Sequence, residues 1–437
     1  MILACALQLA MMSSVAMKAT DVQRTIDAVW RIESAKLIAA LARLTRDVGL
    51  AEELAQDALV TALEQWPQTG IPDNPGGWLM ATARNRGIDR LRHRQMLTRK
   101  HESLSAELAM DQEHSGNSVE ADADDEIGDD LLRLIFTACH PLLPTEARTA
   151  LTLRLLGGLT TAEIARAFVV SEPTIAQRIV RAKRALSEAA VPFEIPRGAE
   201  LRRRLSSVLE VIYLVFNEGY AATAGSDWMR PALCEEALRI GRILAALAPA
   251  ESEAHGLVAL MEIQASRIRA RTRADGEPVL LLDQNRAHWD RLLIHRGLMA
   301  LARGEALRET RGPYLLQAAI AACHARAATA QDTDWVHITM LYDELVRLTP
   351  TPVVELNRAV AVSMAYGPAA GLELADRLEA EGRLKSYHLL PSVRGDLLAK
   401  LGRYREARGE FERAARLTHN ARESRLLLGR AAACVRD

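Results

Sequence analysis

The stretch from Leu142 to Leu186, LLPTEARTALTLRLLGGLTTAEIARAFVVSEPTIAQRIVRAKRAL, reads as helices that end in a helix-turn-helix. Thr160 is a natural N-cap, and Glu163 stands three residues on, where a capping-box carboxylate reaches back. The helix it opens runs to about Phe168. Ser171 caps the next helix, and Pro173 falls in its first turn, where a missing N–H costs nothing. Ile175, Ile179, Ala182 and Leu186 then recur at helical spacing and form a core face. Thr174, Gln177, Arg178, Arg181 and Arg184 lie opposite, the residue types that read base edges and hold phosphates when a helix enters a major groove. The bland alternative is a solvated basic face. The bend itself, Phe168-Val169-Val170, lacks the usual turn glycine, which bears on the fine geometry of this helix.

At 437 residues the chain has room for about three domains. Hydrophobic residues make up 49% and aromatics only 4%. Ala, Leu and Arg dominate, all strong helix formers, so the expected fold class is all-α. A net charge of −1 gives no global sign of a nucleic-acid partner, so the distribution of charge has to carry that inference. Five scattered cysteines with no CxxC argue against a disulfide framework and a structural zinc site, and fit a reducing cytosol. Cys139 and His140 are adjacent on one helix, point apart, and read as core packing. No metal site, cofactor or catalytic residue is expected: there is no Walker loop, dinucleotide fingerprint, HExxH or nucleophile elbow.

Charge segregation divides the chain. Residues 84–100 carry Arg84, Arg86, Arg90, Arg92, Arg94, Arg99 and Lys100 against Asp89 alone. Residues 101–130 carry acids and no Lys or Arg. The expected order is an N-terminal tail over 1–19, a helical module over 20–100, an acidic flexible linker over 101–127, the helix-turn-helix module over 128–190 and a helical domain over 197–437. The apolar start, MILACALQLAMMSSVAM, lacks a basic flank and is too short to span a bilayer, so a start-site extension and a cytoplasmic protein without membrane contact are expected. Beyond residue 197 the pattern looks repetitive. LAKLGRYREARGEFERAARL (398–417) has the spacing of a tetratricopeptide unit, and LNRAVAVSMAYGPAAGLELADRL (356–378) is a looser copy. Such units stack into a superhelix with a concave groove. Asn217, Glu218 and Gly219 read as a polar break that caps a helix, with an anchor of the domain junction as the alternative.

In the N-terminal module, LAEELAQDALVTALEQW (50–66) is amphipathic, with Leu54, Ala58, Thr61 and Ala62 inward and Glu52, Glu53, Gln56 and Asp57 toward an exposed side. After Pro75 a second helix places Trp78, Ala81, Ile88 and Leu91 at core spacing. Its other faces display Asn85, Arg86, Asp89, Arg90, Arg92 and Arg94.

Together these modules resemble an extracytoplasmic-function sigma factor of the sigma-70 family. AEELAQDAL is similar to the polymerase-docking helix of region two, and GGWLMATARNRGIDRLRHR to the helix that follows it. LPTEARTALTLRLLGGLTTAEIA and PTIAQRIVRAKRAL resemble region four. YLVFNEGY (213–220), the LNRAVAV run and SYHLLPSVRGDLL (386–398) resemble a subgroup with a long tetratricopeptide-like extension. The resemblance implies a promoter-specificity subunit of RNA polymerase and no enzyme. Glu53, Gln56 and Asp57 would dock on the β′ clamp, and region four would engage the β flap. Asn85 and Asp89 would contact an unstacked base of the −10 element while Arg86, Arg90, Arg92 and Arg94 hold backbone. Thr174, Gln177, Arg178, Arg181 and Arg184 would meet the −35 groove, with Arg154 on its backbone. The acidic linker would either follow the basic RNA-exit channel or serve as an inert tether. The C-terminal domain would regulate, with a peptide or protein ligand in its groove. The competing reading is a helix-turn-helix regulator with a helical-repeat sensor, which leaves residues 20–100 without a role; a repeat scaffold with no DNA role is the third.

Overall fold

A computed structural model of the chain describes residues 2–105, 123–168, 170–222, 224–225, 228–273, 277–307 and 310–434. They divide into two compact units, one of residues 1–166 and 170–211, the other of residues 212–437 with the short stretch 167–169.

The first unit contains α1 (Ile2–Thr45), α2 (Val48–Thr69), α3 (Pro75–Ser105), α4 (Ala123–Ala138), α5 (Thr145–Leu155), α6 (Thr161–Phe168), α7 (Glu172–Glu188) and the first half of α8 (Gly198–Tyr220). Asp47 starts α2 by accepting the Leu50 N–H at 3.1 Å. α1 packs on α2, α3 and α4, and Leu37, Ile38 and Leu41 of α1 are fully buried. Leu54, Ala58, Thr61 and Ala62 of α2 are buried as the spacing requires. Trp66 closes this core, edge-on to Trp78 at 5.4 Å.

The core face of α3 is shifted from the expected one. Leu79 and Ala83 are buried while Ala81 is exposed and Trp78 and Ile88 are half-buried; the side chain of Leu91 lies outside the described residues. Gly87 explains the shift, because a Cβ there would stand 3.3 Å from Leu54 Cδ1. α3 therefore lies against α2 along its small residues.

The expected tail over 1–19 is drawn as the start of α1, and the acidic segment splits: residues 101–105 end α3, 123–127 open α4, and 106–122 lie outside the described residues. The two modules it joins are packed against each other inside one unit. α4 reaches α1 through Arg43–Asp130 at 3.1 Å, and Arg31 of α1 approaches Glu163 of α6 at 3.4 Å. Gly158, at φ +64°, turns the chain between α5 and α6 where a Cβ would meet Ser34 Oγ at 3.0 Å.

The boundary near residue 197 is also displaced. α8 begins just after it, at Gly198, and the division between the units falls inside that helix, whose first half is fixed to the helix-turn-helix module: Arg204 donates to the Phe136 carbonyl at 3.0 Å and Ser207 to that of Cys139 at 2.7 Å. Asn217, Glu218 and Gly219 cap nothing, because α8 continues through them to Tyr220; Glu218 is buried and paired with Arg230.

The second unit continues with α9 (Pro231–Leu247), α10 (Ser252–Ala265), α11 (Arg291–Ala306), α12 (Pro313–Arg326), α13 (Trp335–Leu348), α14 (Pro352–Tyr366), α15 (Pro368–Glu381), α16 (Leu389–Lys400), α17 (Tyr404–Leu417) and α18 (Ala421–Ala433). Four of these helices open on proline, whose fixed φ suits the first turn. Consecutive helices pack on one another. In the α16–α17 pair, Ala407, Phe411 and Ala414 are buried, and a Cβ on Gly395 would come within 2.9 Å of the Phe411 ring. The unit is tied end to end by β1 (Ala224–Gly225) and β2 (His419–Asn420), a parallel pair in which Ala224 faces His419. Buried Asn420 donates to the Ala222 carbonyl at 3.1 Å and caps α18 through the Arg422 N–H.

Candidate nucleic-acid interface

The helix-turn-helix is built from its own caps. Glu163 accepts the Thr160 N–H at 2.8 Å, and Thr160 Oγ1 accepts the Glu163 N–H at 3.2 Å, a reciprocal box that opens α6. Ser171 Oγ accepts the Thr174 N–H at 3.3 Å and starts α7. Ile175, Ile179, Ala182 and Leu186 are all buried, which fixes the rotation of α7 about its axis. Gln177, Arg181 and Arg184 are exposed as a consequence, with Thr174 and Arg178 half-buried beside them. Arg184 is held by Glu188 of its own helix at 2.6 Å. Among the described residues neither Arg178 nor Arg181 forms an ion pair. Val169, in the bend, lies outside the described residues.

Arg154, expected on the DNA backbone, is held elsewhere. Its Nε donates to Glu52 Oε1 at 2.6 Å and its Nη1 to the Leu159 carbonyl at 3.1 Å. Lys183 of α7 pairs with the same carboxylate. Glu52 is therefore not on the exposed side of α2 but 3% exposed, between the two modules. Burial pushes its pKa up, but Lys183 and Arg154 outweigh that and hold it below the ordinary value. The signal for this was present: Val48, Glu52 and Ala55 share one stripe of α2 that is otherwise apolar.

Glu53 is exposed, and Gln56 and Asp57 are half-buried. Two of these docking candidates, Glu53 and Asp57, meet the basic helix directly, while Gln56 bonds within α2. Arg90 donates to Glu53 at 3.0 Å, Arg86 to the Asp57 carbonyl at 2.8 Å, and Gln56 to Glu52 at 2.8 Å. Asn85, Arg86, Asp89, Arg90 and Arg92 are all exposed on α3, with Asn85 and Asp89 one turn apart; the Arg94 side chain lies outside the described residues.

Arg148 and Arg204, which the sequence reading passed over, are buried anchors of region four. Cys139 is buried with Sγ 3.3 Å from Thr152 Oγ1, and burial pushes its thiol up to about 11, so it is inert packing. No three His, Cys, Asp or Glu side chains come together as a metal set among the described residues, and no described helix is long and apolar enough to cross a membrane.

Comparison with known families matches this layout in order. Residues 32–96 match sigma-70 region 2, residues 133–186 match sigma-70 region 4, and residues 204–305 match DUF6596, a family of unknown function. An uncharacterized protein of Rhizobium meliloti (strain 1021) is 46% identical over 388 residues, covering 88% of this chain and 90% of that protein. No solved structure matches. Two sigma modules in this order define a transcription initiation factor that binds RNA polymerase and DNA and has no enzymatic activity of its own. The chain belongs to the sigma-70 family of RNA polymerase sigma factors, with a helical C-terminal extension.

Proposed function

We propose that this protein is an extracytoplasmic-function sigma factor that directs core polymerase, in the cytoplasm, to promoters with defined −10 and −35 elements. The reading rests chiefly on α7, whose polar face of Thr174, Gln177, Arg178, Arg181 and Arg184 stands opposite four buried apolar residues. A helix so oriented offers guanidinium and amide groups to base edges and phosphates in the −35 major groove. Asn85 and Asp89 on α3 would receive an unstacked −10 base, while Arg86, Arg90, Arg92 and Arg94 hold its backbone. Extruding that base costs a few kcal/mol, which the phosphate contacts offset.

Glu53, Gln56 and Asp57 would dock on a basic coiled coil of the β′ clamp, and the region-four helices on the β flap. In the packed arrangement Glu52 occupies Arg154 and Lys183, so engagement of two separated promoter elements requires that contact to open. The C-terminal unit, read as a tetratricopeptide-like groove that takes a peptide or protein, would govern this opening.

Reconstituted run-off transcription with bacterial core polymerase and a library of promoter fragments tests the proposal. Initiation dependent on the protein, from fragments sharing two spaced elements, is expected. Binding of duplex operator by the protein alone, with no initiation in the presence or absence of residues 212–437, would overturn it.

A further inference from the structure

In the second unit α9, α10 and α11 line an open cavity of about 430 Å³. Its lining is charged in one sense: it holds Arg242, Arg296 and Arg303 and a single carboxylate, Glu262, which Arg242 and Arg296 contact. Three guanidiniums against one acid leave two positive charges uncompensated. His295 adds a hydrogen-bonding group at the rim, His255 is engaged with the Pro249 carbonyl, and Ala245, Val258 and Ala300 supply apolar wall.

Glu262 is only 1% exposed, yet it is not paired off in isolation. Its Oε1 accepts from Arg242 Nε at 2.8 Å and lies 3.4 Å from Arg296 Nε. Burying a carboxylate costs several kcal/mol, and two cations on one oxygen is a poor way to recover that cost if stability is the only return. The arrangement instead fixes two guanidiniums, from α9 and α11, at one edge of an open cavity. Held forks of this kind present paired N–H donors that match the oxygens of a phosphoryl group. Pre-positioning them removes the ordering cost that a ligand would otherwise meet. A volume near 430 Å³ accepts a ligand of metabolite size. The residues concerned, 242–303, fall inside the segment 204–305 that the chain shares with DUF6596, a family of unknown function.

We infer that this cavity binds a small phosphorylated anion, a phosphate ester or a polyphosphate, through Arg242, Arg296 and Arg303. The site is independent of the promoter reading, since none of its residues belongs to the sigma modules. Anion binding there would link the charge state of a soluble metabolite to the helical extension of the sigma factor.

Isothermal titration of the full-length protein with inorganic pyrophosphate at physiological salt tests the inference. The basic face of α7 also attracts polyanions, so Arg178→Ala/Arg181→Ala is the control. Saturable binding is expected, weakened at least about tenfold by Arg296→Gln/Arg303→Gln and unchanged by the α7 substitutions, tenfold being about 1.4 kcal/mol. Arg296 and Arg303 are exposed at the rim, and circular dichroism checks that their replacement leaves the fold intact. Met299→Trp, at an exposed position of the lining, blocks the cavity without removing a charge and is expected to weaken binding as well. No saturable binding below about 5 mM pyrophosphate, or a loss produced by the α7 substitutions and not by the cavity ones, would overturn it.

Discussion

Arg154 of α5 and Glu52 of α2 meet at 2.6 Å, joining the helix that would dock polymerase to the module that would read the −35 element. Neither is a surface ornament: their side chains are 20% and 5% exposed. Glu52 is the hub, because Lys183 of α7 shares its carboxylate and Gln56 donates to it from one turn on. Since this carboxyl is held below its ordinary value of 4.5, the contact contributes stability at neutral pH and loses it as pH falls from that value downward. Fluorescence transfer between labels on α2 and α7 is expected to be constant at pH 6–8 and to fall on acidification below about 4.5. The same titration on Glu52→Gln should lose the transition; an identical profile would assign the acid response to other carboxylates.

Removing the hub outright should act more strongly than titrating it. Glu52→Ala leaves Arg154 and Lys183 half-enclosed with no counter-charge, which costs about 3 kcal/mol for a buried pair broken on one side. The packed arrangement is expected to open, and Arg154 becomes available to a DNA backbone. Anisotropy with a promoter duplex should then report tighter binding by the free variant than by the unmodified protein. Equal affinities would mean that the contact does not restrain region four.

On α7, Arg178 and Arg181, without an ion pair among the described residues, have different expected signatures. Arg178 is half-buried and, in the proposed reading, would contact a base; Arg181, three residues on, is exposed. Arg178→Ala should cost about 1–3 kcal/mol on the promoter and relax preference at a single −35 position. A uniform loss over all sequences in the same binding assay would assign it to phosphate instead.

Glu53 and Arg90 face each other at 3.0 Å with side chains 65% and 49% exposed. Such a pair contributes about 0–1 kcal/mol, so it yields readily to a stronger partner on either side. Glu53→Lys is therefore expected to leave the melting temperature unchanged while weakening association with core polymerase, read by surface plasmon resonance. Unchanged association would remove Glu53 from the docking surface.

What could be read in advance was what depends on neighbours in sequence. The Thr160–Glu163 box, the Ser171 cap and the four buried positions of α7 follow from residues within one or two turns of each other, and all are found. Long-range choices were not legible. Glu52 looked like one more surface acid until Arg154 and Lys183, over a hundred residues away, supplied its partners. The rotation of α3 was misjudged because Trp78 marks the edge of the core by meeting Trp66, while Ala83 and Gly87 mark its centre. The β1–β2 pair spans almost two hundred residues and has no local signature. The expected start of the last domain at residue 197 coincides with the start of α8, but the first half of that helix, to Val211, belongs to the first unit.

That last displacement makes a direct prediction about truncation. Arg148 of α5 pairs with Ser207 and approaches Glu210 at 3.3 Å, and Arg204 and Ser207 donate to the carbonyls at the end of α4. A chain ending at Pro196 loses all of these and exposes Arg148, which is only 9% exposed in the intact unit, together with Phe136 and Cys139. A chain ending at Val211 keeps them. Leaving these buried groups without partners costs about 2 kcal/mol, so thermal unfolding of the shorter form should come roughly 6 °C lower. Ser207→Ala in the longer form should reproduce part of that drop, because it removes one bridge between α5, α8 and the Cys139 carbonyl. Equal melting temperatures for the two truncations would mean that the first half of α8 is dispensable to region four, and the boundary would return to residue 197.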